Sequence, residues 1–260
     1  MKVVLTGGHL TPALAYIEYS KKKHPKNELF FFGRRYSQSN KQQKAIEEQA
    51  VSPFGVPFFA VDVPKLTTVL PWDVLFFTMQ YSRSLFETFR YILRIKPDVV
   101  LTFGGYMAVP IALIAWILRI PIVTHEQTTT AGRANRFIGH FAAQIALSFD
   151  TSAASFPTQK TVITGNPIRS ALLNPQKTTP IWLKVQSKKP ILYVTGGNQG
   201  SHVINAVTKQ ILRQLTRDYI VIHACGRATN TTDYKNELQQ AAKSLPSTHQ
   251  NRYFVREWIS

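Results

Sequence analysis

The sequence has few cysteines, few acidic residues and no long apolar run, and each shortage removes a class of protein. Cys225 is the one cysteine among 260 residues, which excludes a disulfide framework and fits a reducing compartment. The longest apolar run, 107–118, has twelve residues and contains Pro110, whereas a spanning helix needs about 20. The N-terminus, Met1-Lys2-Val3-Val4-Leu5-Thr6-Gly7-Gly8, lacks the apolar stretch of a signal peptide and reads as a strand entering a glycine turn. A cytosolic protein is expected. The metal-ligand spacing H-E-x-x-H is missing, and one cysteine makes no zinc cluster.

Basic residues dominate, 31 Lys and Arg against 14 Asp and Glu, for a net charge of +17. Residues 1–169 carry +9 of this and 170–260 carry +8, so no block concentrates charge as a nucleic-acid-binding tail does. Interleaved aromatic platforms and a reading helix are also absent, and nucleic acid is not an expected partner. A generally basic solvated surface, a phosphate-rich ligand and an anionic membrane all fit the charge. The 44% hydrophobic content is enough for real cores.

Short apolar runs alternate with helical patterns. Strands are predicted at 3–5, 29–32, 56–63, 99–103, 120–123 and 145–148, and helices at 11–23, 40–50, 71–95, 107–118 and 131–141. The strands are nearly continuous hydrophobes, as in a parallel sheet covered on both faces. This alternation predicts a doubly wound α/β domain over 1–169. The polar, proline-containing segment 174–180 then leads into a second, smaller α/β unit within 170–260. There we expect strands at 191–194, 219–223 and 253–255, with helices at 201–215 and 233–245.

Three strands run into glycine pairs followed by helices: Thr6-Gly7-Gly8-His9, Phe103-Gly104-Gly105-Tyr106 and Thr195-Gly196-Gly197-Asn198-Gln199-Gly200. Such turns let a phosphate approach backbone N–H groups at a helix start, beyond the carboxyl ends of the strands. One glycine pair serves chain reversal equally well; three at equivalent positions favour a ligand. His9 stands at one turn, where a group titrating near neutrality suits acid–base work. His125-Glu126-Gln127 occupies the same rim, where a His–Glu pair suits orienting a base or binding sugar hydroxyls. His24, His140 and His249 read as superficial, while His202 and His223 fit either surface or core. Arg169, after Gly165-Asn166-Pro167, suits either a diphosphate fork or a domain-boundary ion pair.

On the helix 71–95, Trp72, Phe76, Met79, Arg83, Arg90 and Arg94 fall in one narrow stripe at about 100° per residue. The stripe suits docking on an anionic bilayer, and it also suits a helix whose aromatic end packs in the core.

Taken in order, Thr6-Gly7-Gly8-His9-Leu10-Thr11-Pro12-Ala13-Leu14-Ala15, Gly104-Gly105-Tyr106, His125-Glu126-Gln127, Thr164-Gly165-Asn166-Pro167-Ile168-Arg169 and Gly196-Gly197-Asn198-Gln199-Gly200 resemble the successive signatures of the MurG family. The resemblance covers nearly the whole chain. It implies a GT-B fold of two Rossmann-like domains: an acceptor and membrane domain at 1–169, and part of a UDP-sugar donor domain at 170–260. It implies transfer of N-acetylglucosamine, with inversion, from its UDP derivative to the muramoyl C4 hydroxyl of lipid I. The product is lipid II, made at the cytoplasmic membrane face for peptidoglycan. No metal or other cofactor is implied.

By the same likeness His9 is the candidate base, and Glu126 joins it as catalytic. Thr6, Gly7, Gly8, Gly104, Gly105, Tyr106, Gln127, Thr128, Asn135, Arg169, Gly197, Asn198, Gln199 and Gly200 are expected to bind substrate. Membrane docking by the 71–95 stripe becomes the favoured alternative. The chain departs from the pattern at Thr128, where the family usually has Asn, and at Asn198, where Ser is usual. Its first loop is shortened, and the family's later donor-pocket segments have no counterpart before Ser260. We therefore expect a fragment, or an acceptor-binding module completed by another chain. A nucleotide-sugar epimerase of similar fold is the weaker option.

Overall fold

Hydrophobic segments without polar alternation form the strands of a parallel sheet in the computed structural model, which describes residues 1–36, 45–64, 71–173, 182–183, 188–197, 200–226 and 232–259. The chain divides into two compact units, Met1–Gln176 and Lys177–Ser260.

The first unit runs β1 (Lys2–Thr6), α1 (Leu10–Lys23), β2 (Glu28–Gly33), α2 (Ile46–Val51), β3 (Phe58–Ala60), α3 (Pro71–Ile95), β4 (Val99–Thr102), α4 (Ala108–Ile117), β5 (Ile122–Glu126), α5 (Arg133–Gly139), β6 (Gln144–Leu147), β7 (Thr161–Ile163) and α6 (Ser170–Leu173). Its seven strands are all parallel, in the order β3-β2-β1-β4-β5-β6-β7. The winding reverses between β1 and β4, the position where open α/β sheets bind ligands.

Alternate side chains feed two cores. Val4, Phe32, Val100, Ile122, Ile145 and Leu147 pack under α3, α4 and α5, while Val3, Leu5, Leu29, Phe31 and Phe103 pack against α1. The helix α4 is apolar all round because it is largely covered. Pro110 sits in its first turn, where a missing N–H costs nothing. Both α3 and α4 are followed by left-handed residues, Lys96 (φ 51°) and Arg119 (φ 57°), whose positive charges suit helix C-termini.

The second unit runs β8 (Ile191–Thr195), α7 (His202–Gln210), α8 (Leu212–Asp218), β9 (Ile220–Ala224), α9 (Tyr234–Lys243), α10 (Ser247–Gln250) and β10 (Tyr253–Arg256). Its parallel sheet has the order β10-β9-β8, over a core of Leu212, Val221, Cys225, Leu238, Tyr253 and Val255.

The α/β alternation read from the sequence is observed, with adjustments at element ends. The helix expected at 201–215 is two, separated at Ile211 (φ −101°). The strand expected over 56–63 pairs only at Phe58–Ala60. The edge strand β7 carries no long apolar run and was not apparent in the sequence. The short helix α6, Ser170–Leu173, stays with the first unit, because Glu18 on α1 accepts hydrogen bonds from the Ser170 amide and hydroxyl.

Candidate active site

Four of the five motifs meet at the carboxyl edge of the seven-stranded sheet. The first and second glycine turns touch backbone to backbone at the switch point. Gly8 has φ +138°, and a Cβ there would lie 2.1 Å from the Gly104 carbonyl oxygen; a Cβ on Gly105 (φ +77°) would lie 3.1 Å from the Gly8 Cα. Only glycine fits this approach. The Gly7 amide donates to the Phe32 carbonyl (2.7 Å), tying the first turn to the end of β2.

The third motif locks onto the second. Gln127 Nε2 donates to the Phe103 carbonyl (3.1 Å), and Gly104 lies against the Asn135 amide. Asn135 is buried on α5, with Nδ2 donating to the His125 carbonyl (3.1 Å) and to Glu126 Oε2 (2.9 Å). Its Oδ1 accepts from Thr124, whose hydroxyl in turn accepts from Thr102, so the network continues into the strands.

The buried Glu126 carboxylate accepts from four donors: the Thr128 hydroxyl (2.7 Å), the Thr128 amide (3.1 Å), the Gly132 amide (2.9 Å) and Asn135 Nδ2. Burial pushes its pKa up, but these hydrogen bonds outweigh burial and hold it below the ordinary carboxylate value. In this arrangement Glu126 shapes the loop leading to α5.

His125 reaches the fourth motif through Nε2 and the Gly165 carbonyl (3.1 Å). Burial lowers its pKa, against the carbonyl and Glu126, and the charge of nearby His9 lowers it further. The two histidines are therefore electrostatic neighbours. His9 itself is exposed at the N-cap of α1, where its side chain makes no capping hydrogen bond. Thr6 Oγ1 and Gln127 Oε1 are buried here without a hydrogen-bond partner among the described residues.

Arg169 donates from Nε to Glu18 Oε1 (2.8 Å). Burial raises the Glu18 pKa, but the guanidinium and Ser170 bring it below its ordinary value. Of the two sequence readings of Arg169, the ion pair is therefore present, and it lies within the first unit.

Two residues of this edge escaped the sequence reading. Arg34, just after β2, forks onto buried Glu47 on α2 (Nη2–Oε1 3.1 Å, Nε–Oε1 3.3 Å) and interacts with Tyr106. Glu47 also lies against Gly7. The available signal was Gly33 at a strand end, in the position of the other strand-end glycines.

The third glycine turn is built separately, in the second unit. The Gly197 amide donates to Thr195 Oγ1 (3.1 Å), and Ser201 caps α7 by accepting from the Ile204 amide (3.4 Å). A Cβ on Gly200 (φ +76°) would lie 2.2 Å from the Cys225 carbonyl oxygen. Asn198 and Gln199 lie outside the described residues, as does the Trp72 side chain. His223 proves fully buried, whereas His249 bonds Thr216.

Phe76, Met79, Arg83, Arg90 and Arg94 are all exposed on α3, so the first two do not pack in the core. Val74, Leu75, Phe86, Phe89 and Leu93 are exposed on the same helix. Arg90 lies over the Phe86 ring (5.9 Å), and Arg83 pairs with Glu87 (3.0 Å). Among the described residues, no helix is long and apolar enough to cross a membrane.

Residues 3–147 match the family described as "Glycosyltransferase family 28 N-terminal domain". The chain belongs to this family. Relatives of this chain include a Legionella pneumophila (strain Lens) protein named UDP-N-acetylglucosamine--N-acetylmuramyl-(pentapeptide) pyrophosphoryl-undecaprenol N-acetylglucosamine transferase. It is 34% identical over 224 residues, covering 85% of this chain and 59% of the relative. A Bacillus thuringiensis (strain Al Hakam) protein of the same name, numbered 3, is 27% identical over 241 residues, covering 91% and 66%. The chain thus spans slightly less than two thirds of the length of the curated relatives it matches.

Among solved structures, Acinetobacter baumannii MurG superposes with a TM-score of 0.55 at 22% identity, covering all of this chain and 67% of that one. A putative UDP-N-acetylglucosamine 2-epimerase from Listeria monocytogenes gives 0.68 at 15% identity, covering 100% and 69%. These likenesses concern the fold, and they agree with the GT-B fold that the resemblance to the MurG family implied.

Proposed function

We propose that this chain belongs to an inverting glycosyltransferase that moves N-acetylglucosamine from UDP-N-acetylglucosamine to the muramoyl C4 hydroxyl of lipid I, forming lipid II for peptidoglycan. The observation that carries the reading is the switch-point contact of Gly8 with Gly104 and Gly105, which presents His9 beside an edge built from four motifs. The names of the sequence relatives support the same reaction. The higher superposition of epimerases concerns fold, since their identity is only 15%.

In this reading His9 takes the proton of the attacking hydroxyl as that oxygen bonds to the anomeric carbon and the UDP oxygen leaves from the opposite face. Backbone N–H groups of the second unit's glycine turn hold the departing diphosphate charge. Because the chain's own groups serve the leaving group, the reaction needs no metal or other cofactor. Thr6, Gly7, Gly8, Gly104, Gly105, Tyr106, Gln127 and Thr128 line the acceptor side. Glu126 and Asn135 act by holding the loop.

The exposed apolar stripe of α3, with Arg90 and Arg94 beside it, docks the protein peripherally on the cytoplasmic face of the membrane, where the acceptor lipid resides. The test is transfer of labelled sugar from UDP-N-acetylglucosamine to a lipid I analogue by the protein and by His9→Ala. Lipid II formation that falls about 10²–10⁴-fold in His9→Ala is expected. Absence of transfer by the full-length protein rejects the reaction, and undiminished turnover by His9→Ala rejects the base.

A further inference from the structure

One buried polar network has no part in the chemistry above. His223 on β9 is fully buried between two partners: its Nδ1 lies 2.8 Å from the Tyr253 hydroxyl on β10, and its Nε2 lies 3.0 Å from Asn205 Oδ1 on α7. Asn205 is also buried, and its Nδ2 donates to the Cys225 carbonyl (2.9 Å).

The direction of each bond follows from the last one. A backbone carbonyl only accepts, so the Asn205 amide group must face Cys225, and its oxygen must face His223. His223 therefore carries its proton on Nε2 and accepts at Nδ1, which leaves the Tyr253 hydroxyl as donor. The relay runs one way, from Tyr253 to His223 to Asn205 to Cys225. Burial keeps both ends in the required state, lowering the His223 pKa to about 4 and raising that of Tyr253.

The relay ends on the carbonyl against which the third glycine turn is built. The Cys225 oxygen would lie only 2.2 Å from a Cβ on Gly200, and the Gly226 Cα would lie 2.8 Å from it. The Cys225 peptide therefore lies in close approach to Gly200, where only a residue without a Cβ fits. The N–H of the same peptide donates to the Glu257 carbonyl (3.1 Å), so its plane is held by two directed hydrogen bonds, and the Asn205 donor is the one on the side of the glycine turn.

We infer that His223 is a positioning residue: by fixing the orientation of the Asn205 amide it helps to hold the Cys225 peptide and, through it, the backbone at Gly200, where the third glycine turn ends. The inference rests on the proposed function for the turn's role in holding the UDP diphosphate. The relay itself stands on the structure.

Two measurements on the full-length protein separate these levels. In ¹H–¹⁵N spectra of the imidazole nitrogens, His223 should appear as the neutral Nε2–H tautomer. Tyr253→Phe, which removes one buried hydroxyl, should erode that preference. An Nδ1–H tautomer in the wild type overturns the relay.

In calorimetric titration with UDP, Tyr253→Phe should raise Kd by about three- to tenfold, the loss expected for one neutral hydrogen bond. Leu238→Ala, a core truncation outside the relay, serves as the stability control and should leave Kd unchanged. Equal affinity in wild type and Tyr253→Phe overturns the positioning role, as does an equal loss in Leu238→Ala at matched Tm. A wild type that binds no UDP overturns the donor reading and this role with it, while the ring spectra still decide the relay.

Discussion

His125 donates from Nε2 to the carbonyl of Gly165, forty residues further along the chain and 3.1 Å away. The direction is set by the carbonyl, which can only accept, and Gln127 Nε2, a donor, lies 3.2 Å from His125 Nδ1 on the other side of the ring. A neutral imidazole thus joins the end of β5 to the segment leading to Arg169. His125→Phe should keep the ring's bulk and lose that tie, leaving the Gly165 carbonyl to the Thr164 hydroxyl (3.2 Å). We expect about 0.5–1.5 kcal/mol of destabilisation and faster hydrogen exchange at 163–169, read by mass spectrometry.

The glycine contact at the switch point predicts a steep positional contrast. Gly8→Ala places a Cβ 2.1 Å from the Gly104 oxygen at a left-handed φ, so the two turns must separate. A loss of about 3 kcal/mol or more is expected, together with loss of activity. Gly132→Ala, with an ordinary φ of −65° and its nearest atom 3.7 Å away, should shift Tm by no more than about 2 °C.

Placing a second carboxylate beside Glu126 should destabilise the loop in a pH-dependent manner. Asn135→Asp exchanges a donor 2.9 Å from Glu126 Oε2 for a like charge. The variant should lose about 3 kcal/mol at neutral pH and recover part of it on acidification, as one of the paired carboxyls takes a proton. Thermal melts at neutral and mildly acidic pH, compared with wild type, measure the difference.

Acid should weaken the wild type in two stages. His125 and His223 are neutral in the fold with pKa values below the ordinary 6.5, because burial disfavours the charged ring. Below that pH the unfolded chain binds protons that the native state does not, so stability falls as pH falls. For His223 the loss runs from 6.5 to about 4 and amounts to at most about 3 kcal/mol. Glu18 and Glu126 have folded values below the ordinary 4.5. Their contribution is present above that pH and disappears below it. Urea midpoints across this range should show both stages, and His223→Leu should flatten the first.

Membrane docking predicts separable apolar and electrostatic contributions. Phe76 and Met79 are about two-thirds exposed, at 65% and 66%, and burying either side chain in a bilayer interface is worth about 1.5–3 kcal/mol. Phe76→Glu with Met79→Glu should abolish cosedimentation with phosphatidylglycerol-containing vesicles in low and high salt alike. Gln at Arg83, Arg90 and Arg94 should weaken binding mainly at low salt. Unchanged sedimentation in both variants rejects the docking surface.

The sequence by itself determined the α/β alternation, the two-unit organisation and the strand-end glycine motifs, because hydrophobic runs, periodicity and glycine turns are local properties. It also marked His9, and it marked the α3 stripe by its angular spacing. The tertiary structure decided the relationships that depend on contacts distant in sequence. Only the 3-2-1-4 winding brings Gly8 against Gly104, and only the packing of α5 against β5 gives Asn135 a carboxylate to hold. Arg34, Glu47 and Glu18 were silent in the sequence, because a charged residue on a helix or strand end looks solvated until its partner is known. His223 was open between surface and core for the same reason: its burial comes from β10 and α7, thirty residues after it and eighteen before. Local pattern selects the elements, and the desolvation and pairing of polar groups across them assembles the site.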